Sequence, residues 1–307
     1  MKNQIKDNIA LGFAGAWSRI TTFAIAFLIV SCFSACYEQV DGCLDTNALN
    51  FSLDADRECD GCCTYPALSI RLVHQWIDAD TSFTFRYTSG AFKDGGGNPF
   101  VIDRITYYLQ NFSLVTDAGT RVSTTDTVLV GYLNDIGFYE DRYIPDDYLL
   151  INATVSSAFE VGTLAQNGNF TQLQFELGVD DFMDRILPGS LTNNHPLSLL
   201  DTTMYDLNNG RYVSNRLDLA RDTTQNAEDL LLQYGAERST VPVSVAIPGG
   251  FPLPAGFNMV VTLQVNYAEW FQNVNNIATA TPETIIPQIV AGLPNSFTLV
   301  DITVNQQ

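Results

Sequence analysis

Apolar and polar residues alternate with a two-residue period through much of the chain after residue 66. In residues 170–179, for example, apolar side chains at every second position alternate with Gln172, Gln174 and Glu176. This period places the apolar side chains on one face of a β-strand. The same strand pattern occurs at residues 68–74, 82–87, 127–131, 211–219, 241–247 and 258–266.

The longest predicted strand lies within residues 98–119 and contains a change of phase. Its apolar positions form two sets, Ile105, Tyr107 and Leu109 in the first and Phe112 and Leu114 in the second. A β-bulge near Gln110 and Asn111 would keep both sets on the buried face. Asp117 to Gly119 then supply the turn residues that end the strand.

The segments between the strands carry turn and loop signals. The period breaks in residues 180–201 and 267–271, which predict short helical turns, and the proline- and glycine-rich residues 248–256 predict a connection. No long helical pattern competes with the strands. The sequence therefore predicts an all-β fold, an antiparallel sandwich or barrel-like domain with short helical insertions, over residues 67–307.

Composition and charge narrow the range of partners. A hydrophobic content of 46% is sufficient for a packed core and excludes wholesale disorder. The net charge of −19 repels nucleic acid and suits cations, although acidity also simply keeps an exported protein soluble. Asp180, Asp181 and Asp184 could serve acid–base catalysis, but a solvated acidic loop is the simpler interpretation. No enzymatic activity is predicted.

The first 35 residues have the features of a lipoprotein signal peptide. Basic residues precede an apolar run at 20–30 that ends in small residues and cysteines, and the run is too short to span a membrane. Cys32 and Cys36 both follow sequences that resemble lipoprotein cleavage sites. Cleavage at Cys36 leaves an even number of cysteines and is favoured for that reason. We expect a lipid-anchored protein in the cell envelope of a Gram-negative bacterium, facing the periplasm or the surface.

Residues 36–66 form a second segment, here called the small module, which resembles a Cys-rich acidic module common in secreted bacterial proteins. It contains four cysteines, Cys43, Cys59, Cys62 and Cys63. Two disulfides are expected; their pairing stays open, except that the adjacent Cys62 and Cys63 would form a strained ring. Short oxygen ligands for Ca²⁺ are available from Asp45, Asn47, Asn50, Asp54, Asp56 and Asp60. The alternative is a disulfide-stapled spacer in which these residues only form turns.

Several segments of the larger domain, taken in order, resemble the MbnP-like family of secreted bacterial proteins. They are LSIRLVH (68–74), ITYYLQNFSLV within 98–119, FTQLQFELGVD (170–180), HPL with MYDLNNG (195–210), VNYAEWF (265–271) and LPNSF (293–297). The resemblance extends from about Leu68 to Ile302. It implies an all-β fold and copper binding through imidazole nitrogens, with a tryptophan-derived kynurenine as a further ligand in the founding members.

The copper ligands that this resemblance implies are only partly present. His74 occupies the histidine position of the first strand, and Met204 matches the family methionine. His195 has no clear counterpart, the tryptophans next to the family methionine are absent, and Gln233 stands where a later histidine is expected. We predict copper binding at His74, His195 and Met204 with a depleted ligand set. The alternative is a module on the same scaffold that binds an unknown partner without metal.

Overall fold

The computed structural model describes residues 38–87, 90, 92–199, 201–224, 226–235 and 240–306. The predicted signal peptide and the candidate lipidation residues Cys32 and Cys36 lie outside these residues. The described residues divide into two compact units, residues 38–44 with Ser52–Cys62, and Asp45–Phe51 with the residues from Cys63 onwards. The chain changes from one unit to the other after Leu44, after Phe51 and after Cys62. None of these points is residue 66, so the predicted domain boundary there stays a prediction.

The secondary structure is dominated by strands. The strands are β1 (Asp41–Gly42), β2 (Arg57–Glu58), β3 (Ala67–Ile77), β4 (Ser82–Thr84), β5 (Phe92–Lys93), β6 (Pro99–Thr116), β7 (Arg121–Ser123), β8 (Thr127–Leu133), β9 (Tyr139–Pro145), β10 (Leu149–Asn152), β11 (Ala158–Thr163), β12 (Gly168–Leu177), β13 (Tyr205–Asp206), β14 (Arg211–Ala220), β15 (Asp229–Gly235), β16 (Val241–Leu253), β17 (Asn258–Asn266) and β18 (Phe297–Asn305). The α-helices seen in these residues are α1 (Ala268–Phe271) and α2 (Pro282–Gly292). The predicted all-β fold is confirmed.

Two sheets of the larger unit share one hydrophobic core. A nine-stranded antiparallel sheet has the path β13–β14–β6–β12–β16, with β5, β7 and β10 paired to β6 and β15 paired to β14. A five-stranded sheet has the path β11–β3–β17–β18, with β4 paired to β3. In this second sheet β3 and β17 run parallel, whereas β3 pairs with β4 and β11, and β17 with β18, in the antiparallel direction. Apolar side chains from both sheets fill the space between the sheets. We call this group of side chains the first cluster.

The bulge predicted in the longest strand is confirmed. Gln110 lies opposite Glu176 and Ser113 lies opposite Gln174, so Asn111 and Phe112 together face a single residue of β12. Asn111 has a φ of 58°, the left-handed conformation that asparagine tolerates better than most residues. The extra residue restores the phase, and the apolar side chains on both sides of the bulge reach the first cluster.

Residues 248–253 do not form the connection that their prolines and glycines suggested. β16 continues to Leu253, and its register with β12 jumps from Ala246 opposite Gln172 to Phe251 opposite Phe170. The intervening residues bulge out of the ladder, with Gly249 and Gly250 at φ values of 79° and 74°. Proline is tolerated because β16 pairs with one strand only, so a missing N–H on its outer edge breaks no hydrogen bond.

The helix α2 was not predicted from the sequence. Its buried face includes Ile285, Ile286 and Ile289, at the spacing of one side of a helix. Proline occupies its first turn at Pro282 and its interior at Pro287, and these breakers mask the helical period. The predicted short helical turns at 267–271 and 180–201 are confirmed by α1 and by 3₁₀ turns at Asp181–Arg185 and Pro188–Ser190. No helix among the described residues is long and apolar enough to cross a membrane.

A second cluster of buried side chains lies on the face of the nine-stranded sheet that points away from the first cluster. It contains Tyr108, Val130, Ile144, Tyr148, Val179, Met183, Ile186, Leu191, Leu197, Met204 and Tyr212. The hairpin of β8 and β9 contributes Val130 and Ile144 to it. Each side of the sheet is therefore covered, and residues on opposite sides of it are separated by the sheet itself.

Candidate functional site

His74 is held in a buried position by two hydrogen bonds. It lies on β3, where the even-numbered residues point into the first cluster, and only 2% of its surface is exposed. Its Nε2 lies 2.8 Å from the carbonyl oxygen of Val155, and its Nδ1 lies 2.8 Å from the hydroxyl of Tyr267. A carbonyl oxygen only accepts, so Nε2 carries the proton. In the neutral ring Nδ1 then accepts the hydroxyl proton of Tyr267.

The hydrogen bonds continue from Tyr267 into the core. The hydroxyl of Tyr107 lies 3.3 Å from that of Tyr267, and because Tyr267 donates to His74, Tyr107 donates to Tyr267. Burial raises the pKa of both phenols, so neither ionises near neutral pH. The chain of donors therefore runs from Tyr107 through Tyr267 and His74 to the carbonyl of Val155.

Burial also decides the charge of His74. Desolvation lowers the pKa of its imidazole, against a smaller opposing effect from the hydrogen bond to Val155. The ring is therefore neutral at neutral pH, and neutral imidazole is the form that binds metals. His74 is thus chemically suited to coordinate a metal, provided that it releases one of its two hydrogen bonds.

A cavity of about 430 Å³ opens next to His74. Its walls include His74 and the hydroxyl-bearing residues Thr84, Thr154 and Ser156. The carbonyl that bonds Nε2 belongs to Val155, and its neighbours Thr154 and Ser156 line this cavity. Nδ1, by contrast, points to the fully buried Tyr267.

His195 has a different set of partners. Its Nδ1 accepts the backbone N–H of Leu197 at 3.1 Å, so the ring proton is on Nε2, which lies 2.9 Å from Oδ1 of Asp146. Its surface is 9% exposed. Met204 is completely buried in the second cluster.

The three predicted copper ligands do not form one site. Tyr107 contacts the His74 network, whereas the hydroxyl of the next residue, Tyr108, donates to the carbonyl of Pro196, beside His195. Successive side chains of a strand point to opposite faces, so His74 and His195 lie on opposite sides of the nine-stranded sheet. Met204 is on the side of His195. In the part of the chain that the structure describes, no group of three or more His, Cys, Asp or Glu residues is placed to hold a metal ion.

The predicted calcium ligands belong to both compact units. In the larger unit, Asp45 accepts from the backbone and side-chain nitrogens of Asn47 and from the hydroxyl of Tyr65, and these hydrogen bonds lower its pKa. Asn50 accepts the backbone N–H of Thr64.

In the smaller unit, Asp56 accepts the backbone N–H of Val40, and Asp54 and Asp60 are exposed. Cys59 is bonded to Cys62, and Cys43 and Cys63 are also disulfide-bonded. The expected use of all four cysteines in disulfides is confirmed.

Sequence reasoning missed a group of buried polar residues next to the bulge of β6. Gln110 is completely buried and its side-chain amide has no hydrogen-bond partner among the described residues. Asp147 accepts the backbone N–H of Phe112 through Oδ2 at 2.9 Å, while its Oδ1 is buried without a partner there. Burial raises the pKa of Asp147 to about 6, against the opposing hydrogen bond from Phe112. The only local signal was the phase change at Gln110 and Asn111.

Sequence reasoning also missed Tyr267 as the partner of His74. The signal was present, because Tyr267 continues the inward series of Met259, Val261, Leu263 and Val265 on β17.

Comparisons with known proteins give one family and one similar structure. A model of the family described as MbnP matches residues 65–287. The solved structure of MbnP from Methylosinus trichosporium is similar, with a TM-score of 0.37 and 11% identity over 68% of this chain and 78% of that one. A search of curated protein sequences finds no match to the chain.

Proposed function

Because the chain belongs to the MbnP family, we propose that it binds copper at the cell envelope, with His74 as its histidine ligand. The observation that carries the proposal is the position of His74, a neutral imidazole that lines a cavity. Imidazole suits copper in either common oxidation state. His195 and Met204 do not share this cavity, so the protein supplies one imidazole and binding is weaker than at a site with several histidines.

Copper binding at Nε2 requires the other neutral tautomer of the His74 ring and a reversal of the hydrogen bond between Nδ1 and Tyr267. Nε2 must give up its proton and its hydrogen bond to Val155, and the neutral ring then carries the proton on Nδ1. Tyr267 can accept from Nδ1–H if its own hydroxyl turns to Tyr107, 3.3 Å away. Metal-bound histidines usually donate their other N–H to such an acceptor, which fixes the ring orientation. Tyr267 is therefore a positioning residue for the ligand.

The copper proposal is tested by titrating the full chain with Cu(I) and with Cu(II), alongside two variants. His74→Ala removes the proposed ligand, and His195→Ala is the matched control on the other side of the sheet. We expect one bound copper in the wild type, with an affinity at least about tenfold weaker in His74→Ala and unchanged in His195→Ala. Equal affinities of the wild type and His74→Ala would remove the proposal.

A metal-independent binding module on the same scaffold is the second candidate function. It is favoured by the hydrogen bonds that occupy both ring nitrogens of His74 and of His195. If the wild type binds no copper while its fold and melting temperature are unaffected by chelators, this second function takes the place of the first.

Export and lipid anchoring complete the proposed function. They rest on the apolar run at 20–30 and on the cysteines that follow it. Expression in a Gram-negative host with labelled palmitate is expected to label the wild type and Cys32→Ser but not Cys36→Ser. Label lost only in Cys32→Ser would move the anchor to Cys32, and an unlabelled wild type would exclude a lipid anchor.

A further inference from the structure

The outer face of the β8–β9 hairpin carries exposed apolar side chains. Leu129 lies directly opposite Tyr143 across the hairpin, and Tyr143 is 69% exposed. At the tip, Ile136 and Phe138 are 78% and 68% exposed. We call this surface, formed by Leu129, Ile136, Phe138, Tyr139 and Tyr143, the aromatic patch. Contiguous exposed apolar side chains on a folded protein mark sites of interaction.

The edge of β9 next to this patch is open. The opposite edge of the hairpin is occupied, because Leu187 donates its N–H to the carbonyl of Gly131 at 2.8 Å and Gly131 donates to the hydroxyl of Ser190. In contrast, the backbone of β9 forms hydrogen bonds only with β8 among the residues that the structure describes. An open strand edge offers a row of backbone donors and acceptors to another extended chain.

The charge on the outer face of β9 is acidic. Asp141 lies between Tyr139 and Tyr143 on this face, whereas Glu140 and Arg142 lie on the inner face, where Arg142 is 4.5 Å from the centre of the Tyr132 ring. This charge disfavours anionic lipid headgroups. It also disfavours a second copy of a chain with a net charge of −19. A basic segment is complementary to it.

We propose that β9 docks an extended segment of a partner protein in which a basic residue has an apolar residue two positions away on each side. The segment adds to the hairpin as a third strand and hydrogen-bonds to the open edge of β9. Because residues two apart share a face of a strand, its two apolar residues cover the aromatic patch beside Tyr139 and Tyr143. The basic residue between them lies on the same face, next to Asp141. This interaction requires no metal and goes beyond the proposed copper binding.

The test uses the full chain and a fluorescent peptide of about nine residues with lysine at its centre, valine two positions to each side and serine or threonine elsewhere. Fluorescence anisotropy at physiological ionic strength measures its affinity for the wild type, Asp141→Lys and Tyr143→Ser. The matched control is Asp301→Lys, on the exposed strand β18, which also lies at the edge of a sheet. We expect the two hairpin variants to weaken binding at least about tenfold and the control to change it less than about twofold.

Several results would overturn the proposal. These are no binding by the wild type, equal weakening by Asp301→Lys, or equal affinity for a peptide in which glycine replaces the two valines. Sedimentation that shows self-association lost in Tyr143→Ser would assign the patch to a second copy instead. If the wild type floats with vesicles and Tyr143→Ser does not, the aromatic patch would be assigned to a membrane. Circular dichroism checks folding, and if Tyr143→Ser does not fold, Asp141→Lys decides the result.

Discussion

At the scale of single residues, the hydroxyl of Tyr267 orients the His74 ring through its hydrogen bond with Nδ1. Among the described residues it is the only group that hydrogen-bonds to Nδ1, and Tyr267→Phe removes it. A ligand without its orienting partner binds metal less well, typically by about 10- to 100-fold. We therefore expect Tyr267→Phe to weaken copper binding by about tenfold, measured in the titration described above. An unchanged or tighter affinity would contradict a ligand role for Nε2.

A second residue-scale prediction concerns Asp147. Burial raises the pKa of its carboxyl group to about 6, from an ordinary value of 3.8. Between pH 4 and 6 the unfolded carboxyl has lost its proton while the folded one keeps it. Stability from this group is therefore present below pH 4 and is lost as the pH rises to 6. At about 1.4 kcal/mol per pKa unit, the loss amounts to at most about 3 kcal/mol.

Asp147→Asn tests this by urea unfolding between pH 4 and 8. Asparagine keeps an acceptor for the N–H of Phe112 but does not titrate. The wild type should lose stability relative to the variant as the pH rises from 4 to 6, and the difference should be constant above 7. Parallel pH curves for the two proteins would show that Asp147 is not buried as described.

Sequence reasoning identified His74 but not its partners. Val155 and Tyr267 are 81 and 193 positions away, so no local pattern links them to the histidine. The resemblance to a family placed His74 on the first strand of the domain, but the sequence pattern assigned Tyr267 to the short helical turn at 267–271. Only the pairing of β3 with β17, which sets Val265 beside His74, brings the two rings together.

At the scale of elements, the bulge in β6 is the feature that sequence reasoning predicted best. The phase change alone located it, because only an inserted residue keeps both apolar sets in one core. The helix α2 and the extension of β16 were missed for the opposite reason. Proline and glycine are breakers in an isolated segment, but they are tolerated in a strand paired on one edge and in a helix packed through three isoleucines.

The bulge leads to a prediction about the free energy of unfolding. Asn111 has a positive φ, which costs a β-branched residue about 1–2 kcal/mol. Asn111→Val should therefore lower the free energy of unfolding by about that amount, and Asn111→Gly should not. Asn305→Val, the same change at an exposed position of β18 within the other sheet, is the control for adding a β-branched side chain. Urea unfolding that finds Asn111→Val as stable as Asn305→Val would contradict the left-handed conformation.

At the scale of the whole molecule, the nine-stranded sheet separates the predicted copper ligands. The sequence did not show on which side of the sheet each ligand lies. His74 contacts the first cluster, whereas Met204 belongs to the second. A sequence pattern shows that a residue is buried, but it does not show which face of a sheet it covers. The predicted three-ligand site therefore divides into one candidate ligand beside a cavity and two residues in the other core.

The small module supplies a further whole-molecule prediction. Ca²⁺ bound by its carboxylates would stabilise the folded chain by mass action. We expect the melting temperature to rise on adding calcium and to fall with a chelator, and the rise to be smaller in Asp54→Asn and Asp60→Asn than in the control Asp301→Asn. A melting temperature that does not respond to calcium would leave the module as a disulfide-stapled spacer.

The central claim is that His74 coordinates copper through an imidazole nitrogen. Pulsed electron paramagnetic resonance of the full chain loaded with one equivalent of Cu(II) measures this directly, because a coordinated imidazole modulates the signal through its remote nitrogen. We predict the modulation of a single imidazole, lost in His74→Ala and unchanged in His195→Ala. A modulation that persists in His74→Ala, or that is absent from the wild type, would contradict the account.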